Sequence, residues 1–227
     1  MRTTSFRLAL AGLAAAVSAP GLASAEPVAI VEQVLGAPPG LQALDYLSAG
    51  QAVELGTGGA VVIDYLRSCI RETIERGSVK VGGEQSIVAG GRVERTRIEC
   101  DHGGRNAKPG MEEGSGGPGF VQPLKPEGQP HETGITRTIY GTSPLFDLGG
   151  PGRLKIEPLD PRGSAVELSI FAGELVHGRF YDFAAAGKHL EAGGLYRATA
   201  RGQSVVFWID PLAHEGAGPP GGRLIRL

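Results

Sequence analysis

The sequence predicts an all-β fold, and three observations lead to this prediction. The chain of 227 residues contains 37 glycines and 16 prolines, residues that interrupt helices and mark turns. Between them lie short apolar stretches with a period of two, such as Val166, Leu168 and Ile170. No window after residue 25 shows a sustained helical period of apolar residues. Many short strands joined by glycine-rich turns are typical of all-β proteins.

Residues 1–25 predict a secretory signal peptide. Arg2 and Arg7 give a positive start, an apolar run follows from Leu8 to Val17, and Ala23-Ser24-Ala25 is a small-residue cleavage site. A buried N-terminal helix is the alternative interpretation. The apolar run is too short to span a bilayer, which takes about 20 residues. We therefore expect export, with Glu26 as the new N-terminus.

The charge and hydropathy of the chain after the signal peptide limit which classes of partner we expect. The formal net charge of −2 becomes −4 on cleavage, because the removed segment holds two arginines and no acidic residue. Such mild acidity gives no electrostatic reason to expect nucleic acid or an anionic membrane surface as a partner. No later stretch is long and apolar enough to span a bilayer, so we expect no stable membrane insertion.

The two cysteines, Cys69 and Cys100, predict a disulfide, since an even count in an exported protein usually means a bridge. Closing the 31-residue separation would stabilise the fold by about 3–4 kcal/mol in the chain-entropy model. Free thiols are one alternative. The other is a metal site that uses Cys100 and His102, but no second close pair of ligands completes it.

Residues 26–101 predict a small β-domain. We expect strands at residues 28–35 and 60–66, a tight turn at Gly56–Gly59, a turn at Arg76–Gly77, and further short strands between glycine pairs. The order of these pieces resembles a FecR-like domain, with a leading strand, a glycine–leucine–glycine step and a glycine-led strand. The positions that carry the resemblance are Gly40, Leu47, Gly50, Gly56, Gly59 and Val61.

The resemblance implies a β-rich module outside the cytoplasm. FecR-type regulators also carry a cytoplasmic segment and one membrane-spanning helix, which control a sigma factor. This sequence predicts neither of these parts, so the regulatory activity is not expected to come with the resemblance.

Residues 102–132 predict a disordered Gly/Pro-rich linker. The stretch 103–119 holds almost nothing that could be buried, so no apolar burial offsets the entropy of ordering it. A phosphate-binding loop would need Lys followed by Ser or Thr after its last glycine, and this pair is absent.

Residues 133–227 predict an Ig-like antiparallel β-sandwich of about seven strands. Residues 204–210 are apolar on both faces, which favours a central strand. The pattern formed by Leu190, Gly193-Gly194, Tyr196 and Ala198 resembles the last strands of Ig-like domains. In those domains a tyrosine hydrogen-bonds near a strand corner, and we expect Tyr196 to do so. The Cys-Trp-Cys spacing of a true immunoglobulin domain is absent.

Aromatic residues cluster in this C-terminal region. We expect them to fill the core, since large aromatics usually do so. The alternative is an exposed set that stacks on sugar rings or holds a protein partner. The residues are Tyr181, Phe183, Tyr196, Phe207 and Trp208.

No motif for catalysis, metal binding or cofactor binding occurs. The sequence lacks the G-x-S-x-G of hydrolases and the H-E-x-x-H of zinc enzymes. Glu112-Glu113, the adjacent carboxylates, lie in the predicted linker. The five histidines are scattered along the chain as His102, His131, His177, His189 and His214. We therefore expect no catalytic residue, no metal and no cofactor.

Together these observations predict an exported, non-enzymatic binding or scaffold protein of the bacterial cell envelope. Its expected location is the periplasm, with the extracellular space as the alternative. Its expected partner is a protein or another envelope component. The alternative function is an envelope-polymer hydrolase with an unrecognised site.

Overall fold

A computed structural model describes residues 26–36, 40–101, 136–160 and 163–227. The fold is all-β, as predicted: the described residues contain fourteen strands, one turn of 3-10 helix and one four-residue α-helix. The predicted signal peptide and the predicted linker lie outside the described residues. Among the described helices, none has the length and apolar character needed to cross a membrane.

The N-terminal half (residues 26–101) forms one antiparallel sheet of six strands. Its order is β2-β1-β3-β4-β5, and β6 pairs with another part of β4. The strands are β1 Ala29–Leu35, β2 Tyr46–Leu47, β3 Ala52–Tyr65, β4 Ile70–Lys80, β5 Ile87–Ala89 and β6 Arg92–Arg97.

The C-terminal half (residues 136–227) forms two sheets, with orders β10-β9-β12-β13-β7 and β11-β8-β14. Antiparallel pairs predominate, but β7 with β13 and β8 with β14 are parallel. The strands are β7 Thr136–Gly141, β8 Leu145–Asp147, β9 Gly152–Pro158, β10 Val166–Ile170, β11 Phe180–Asp182, β12 Leu195–Ala200, β13 Gln203–His214 and β14 Leu224–Arg226. The helix α1, Pro220–Arg223, precedes β14.

The two sheets of the C-terminal half pack face to face as a sandwich. Phe146, Tyr181 and Ile225 of the three-stranded sheet contact Leu154 and Phe207 of the five-stranded sheet within one buried cluster. The three side chains lie on one face of their sheet because the side chains of a strand alternate between its two faces.

The opposite face of the three-stranded sheet packs against the N-terminal half. Leu145, Phe180 and Leu224 alternate with the sandwich residues along their strands, and they join Ile30 and Leu44 in a second buried cluster. The three-stranded sheet is therefore a middle layer that both halves share, and its face toward the N-terminal half combines these apolar residues with Asp147, Asp182 and Arg226.

Two predicted turns of the N-terminal half are wrong. Gly56–Gly59 lies inside the long strand β3, and Arg76–Gly77 lies inside β4. Gly56 is opposite Gly77, and the register shifts between Gly56 and Ala60. The glycines therefore mark a β-bulge at which two long strands bend and continue, rather than turns at which they end.

The predicted disulfide between Cys69 and Cys100 is present, with Cα atoms 5.6 Å apart. Both cysteines are buried. The bridge ties the connection between β3 and β4 to the segment after β6. Within the described residues, no group of three or more His, Cys, Asp or Glu side chains could hold a metal ion.

The aromatic cluster of the C-terminal half fills the core. Tyr181, Phe183, Tyr196 and Phe207 are buried, and Phe146 packs edge-to-face against Phe183. Trp208, the fifth member of the predicted cluster, is half-buried, and its indole N–H donates a hydrogen bond to the backbone carbonyl of Gly193.

Tyr196 makes the backbone hydrogen bond that the sequence predicts. Its hydroxyl oxygen accepts the N–H of Glu191, at 3.1 Å. The acceptor lies at the start of β12 and the donor in the loop before it, so the bond holds a strand corner.

Candidate functional site

A cleft of about 250 Å³ lies at the seam between the two halves. We call it the seam cleft. Its N-terminal wall follows the end of β6, and its C-terminal wall comes from the ends of β7 and β13 and from the segment around α1. The residues that line the cleft include Arg97, Ile98, Glu99, Tyr140, His214 and Pro219.

Arg223 holds the floor of the cleft in place. It is 4% exposed, and its guanidinium donates to both carboxylate oxygens of Asp182, at 2.6 and 3.0 Å. It also donates to the backbone carbonyls of Ser143 and Gly218. A buried charge is tolerated when it is paired and hydrogen-bonded in this way, so Arg223 is a structural cation rather than a free ligand group.

The segment around α1 sits directly on the N-terminal half. The backbone N–H of Gly221 donates to Asp64 Oδ2, at 3.1 Å. A Cβ atom on Gly222 would lie 2.5 Å from the carbonyl oxygen of Glu99. No real Cβ approaches a backbone oxygen so closely, so glycine at this position lets the two halves close around the cleft.

Two carboxylates and one guanidinium lie behind this contact. Asp64 is fully buried and accepts a hydrogen bond from Arg71 Nε, at 3.1 Å. Arg71 Nη2 is 2.5 Å from Glu32 Oε2, but the two groups are not oriented as a hydrogen bond, so this contact is an ion pair. Burial raises the pKa of the Asp64 carboxyl. Burial, and next the charge of Asp64, raise the pKa of Glu32.

Glu99 and His214 face each other across the mouth of the cleft. The distance from His214 Nε2 to Glu99 Oε2 is 3.7 Å, and both side chains are mostly exposed. Glu99 belongs to the N-terminal half and His214 to the C-terminal half. An exposed pair of this kind contributes little to stability, but it places an acid and a base at the entrance.

Tyr140 and Arg97 leave polar groups unused in the cleft. Among the described residues, neither the Tyr140 hydroxyl nor the Arg97 guanidinium has a hydrogen-bond or ion-pair partner. Burial, and then nearby acidic groups that include Asp210, raise the pKa of Tyr140, so this phenol stays protonated and able to donate. The cleft thus offers a cation and a donor beside the apolar side chains of Ile98 and Pro219.

The lining of the cleft lacks a nucleophile. No serine, threonine or cysteine is among the described residues that line it. Covalent hydrolysis of the serine or cysteine type needs such a group within reach of a base. The acid–base groups of the cleft are the exposed pair of Glu99 and His214 and the phenol of Tyr140.

The other histidines lie elsewhere. His177 Nδ1 is 3.4 Å from Asp45 Oδ1, a contact that also joins the two halves. His189 lines a second hollow, of about 460 Å³. Asp160 and Gly163 also line this hollow, and the two residues between them lie outside the described residues. His102 and His131 lie outside the described residues. The candidate site is therefore built on the seam cleft.

No local pattern in the sequence points to this site. Glu99, Tyr140 and His214 come from three separate parts of the chain, and no local spacing links them. The ends of β6, β7 and β13 bring them together. A local signal of the contact between the halves is the pair Gly221-Gly222 within α1, since glycines often mark close backbone approaches.

Comparisons of the chain with protein-family models, with curated proteins and with solved structures found no match. The FecR-like and Ig-like resemblances therefore stay predictions from the sequence.

Proposed function

We propose that this protein is an exported, non-enzymatic binding protein of the bacterial cell envelope, and that its partner occupies the seam cleft. The observation that carries the proposal is the cleft itself, which both halves build. It is concave, it is preformed by buried contacts, and it presents polar groups of Arg97 and Tyr140, without partners in the described part of the chain, beside apolar side chains. Such a combination is typical of binding sites.

Two features support a location in the periplasm. Residues 1–25 have the pattern of a signal peptide. The bridge between Cys69 and Cys100 is of a kind that persists in oxidising compartments and is rare in the cytosol. The FecR-like pattern of the N-terminal half is in keeping with an envelope module.

The size of the cleft favours a protein partner. Pockets for drug-sized ligands usually measure about 300–1,000 Å³, whereas the seam cleft measures about 250 Å³. That space suits one or two side chains that project from a larger surface. Arg97 is suited to a carboxylate of the partner, and Ile98 and Pro219 are suited to an adjacent apolar side chain.

The test is capture of a partner from an envelope extract by the wild-type protein and by two charge-reversal variants. Arg97→Glu changes the cleft, whereas Arg92→Glu makes the same change at the other, exposed end of β6. We expect Arg97→Glu to weaken the affinity for the captured partner at least tenfold, and Arg92→Glu to leave it unchanged. Absence of a specific partner, or equal losses in the two variants, would contradict the proposal.

The pair of Glu99 and His214 favours one second candidate, hydrolysis of an envelope polymer. A histidine beside a carboxylate can act as a general base on water. Turnover of peptidoglycan or an envelope polysaccharide that His214→Ala abolishes and His189→Ala preserves would support this candidate over pure binding. Absence of turnover would remove it.

A further inference from the structure

The sheet edges of this protein differ in how they are protected. An edge strand exposes unpaired N–H and C=O groups that can pair with another chain, and proteins usually shield them. In the described residues, the edge at β7 is capped by Asp101, whose carboxylate accepts the N–H of Thr138 at 3.2 Å. The edge formed by β5 and β6 is interrupted at Gly90 and carries exposed charges. β2, β11 and β14 are only two or three residues long.

Among the described residues, no cap or covering segment shields β10, and the strand is longer than β2, β11 and β14. It is the five-residue edge of the five-stranded sheet. Val166 is 42% exposed, Leu168 is half-buried, and the next residue after the strand, Phe171, is 70% exposed. The one charge of the strand, Glu167, is already paired with Arg153 of β9, at 3.1 Å. The core-facing side of the edge, with Val166, Leu168 and Ile170, is therefore apolar, and its one charged side chain lies on the other side, paired within the same sheet.

We propose that β10 pairs antiparallel with β10 of a second copy of this chain. A two-fold axis at Leu168 places Leu168 opposite itself, Val166 opposite Ile170 and Glu167 opposite Ser169. In this register every side chain on the core face meets an apolar partner. The two five-stranded sheets would then join into one continuous sheet, in an interface that uses the same strand of both copies.

The strand's own sequence selects this register and this occupant. An axis at Glu167 would place two carboxylates directly opposite each other, which destabilises a pair of strands. An axis at Ser169 would place Glu167 opposite Phe171. The axis at Leu168 avoids both mismatches. A second copy therefore fits β10 in its apolar pattern and keeps the two Glu167 carboxylates apart.

The first experiment measures the mass of the purified protein in solution by light scattering. We expect the wild-type protein at twice the monomer mass and the Leu168→Lys variant at the monomer mass, since a lysine on an edge opposes pairing. The control is Leu212→Lys, which introduces the same charge at a residue of β13 that is 85% exposed, and it should remain dimeric. A monomeric wild-type protein, or a Leu168→Lys variant that remains dimeric, would overturn the proposal.

A second variant tests the register and does not depend on the folding of Leu168→Lys. Because Cys69 and Cys100 are bonded to each other, Leu168→Cys adds a free thiol at the proposed axis. Mild oxidation should link two copies, to give a product of doubled mass on a non-reducing gel, whereas Leu212→Cys should stay unlinked. Equal cross-linking of the two variants would count against pairing through β10.

Discussion

Glu32 and Asp64 share the single guanidinium of Arg71 at the boundary between the two halves. Burial is the largest cause of the raised pKa of both carboxyls, and the charge of Asp64 adds to it at Glu32. A raised pKa in the folded state means that the folded protein binds the proton more tightly than the unfolded chain does. Ionisation of these groups therefore costs stability, although an arginine lies beside them.

This charge arrangement predicts how stability changes with pH. The contribution of Glu32 is fully present below its ordinary pKa of 4.5 and is lost as the pH rises through the raised value. Glu32→Gln keeps the neutral form at every pH. We therefore expect the free energy of unfolding of the wild-type protein to fall relative to that of Glu32→Gln between acidic and neutral pH.

Urea unfolding at several pH values measures this difference. Glu94→Gln is the matched control, because Glu94 is exposed on β6 and lies outside the cluster. The free energy of unfolding of Glu94→Gln should differ from that of the wild-type protein by a small and nearly constant amount at all of these pH values. A wild-type protein that gains stability over Glu32→Gln as the pH rises would show that the ion pair with Arg71 outweighs burial.

At the scale of elements, glycines let neighbouring strands of the N-terminal sheet approach closely. Gly77 of β4 has a positive φ of 79°, and a Cβ atom there would lie 2.2 Å from the carbonyl oxygen of Ala89. A Cβ on Gly91 would lie 2.1 Å from the carbonyl oxygen of Arg76. On the other edge of β4, Gly77 pairs with Gly56 at the bulge in β3. Glycines therefore occupy the position at which these strands bend.

Gly77→Ala and Gly56→Ala separate the steric cost of this approach from the cost of backbone conformation. Both glycines have positive φ, which costs about 1–2 kcal/mol for alanine. Gly56 has open space around its Cβ position, whereas Gly77 does not. We expect Gly56→Ala to lose about that amount of stability in urea unfolding and Gly77→Ala to lose clearly more. Equal losses would mean that the sheet relaxes without strain at Gly77.

At the scale of the whole molecule, the three-stranded sheet joins the two halves. Its strands are short, but one face packs into the core of the sandwich, and the apolar residues of the other face pack on Ile30 and Leu44 of the N-terminal half. Polar contacts surround this cluster, among them the hydrogen bond from Tyr46 to Asp147, at 2.8 Å. Asp147 also accepts two hydrogen bonds from Arg179. The seam cleft is therefore a consequence of how the halves pack.

Gly222→Ala tests the fit between the halves. Its Cβ would meet the carbonyl oxygen of Glu99 at 2.5 Å, so a backbone segment must move. We expect a loss of about 1–3 kcal/mol in the free energy of unfolding. Gly218→Ala is the control, since nothing lies within 4 Å of its Cβ position, and it should change stability by less than about 0.5 kcal/mol. A neutral Gly222→Ala would mean that the halves do not need this contact.

Several features of the fold were predictable because they depend on neighbours in the chain. The alternation of Val166, Leu168 and Ile170 predicts a strand whatever it packs against. The tyrosine of the corner and its backbone donor are five residues apart, and their hydrogen bond is confirmed. The two turns placed at glycines were wrong, since a positive φ suits a bulge as well as a turn.

The sequence by itself determined the all-β character, the pairing of Cys69 with Cys100 and the burial of four of the five C-terminal aromatics. Composition, the even number of cysteines and side-chain size are enough for these, because each depends on residue type or on a count. Only the tertiary structure decided that the three-stranded sheet is a shared layer and that Arg97, Tyr140 and His214 meet in one cleft. These side chains lie on strand ends far apart in the chain, and their meeting depends on which sheet faces pack together.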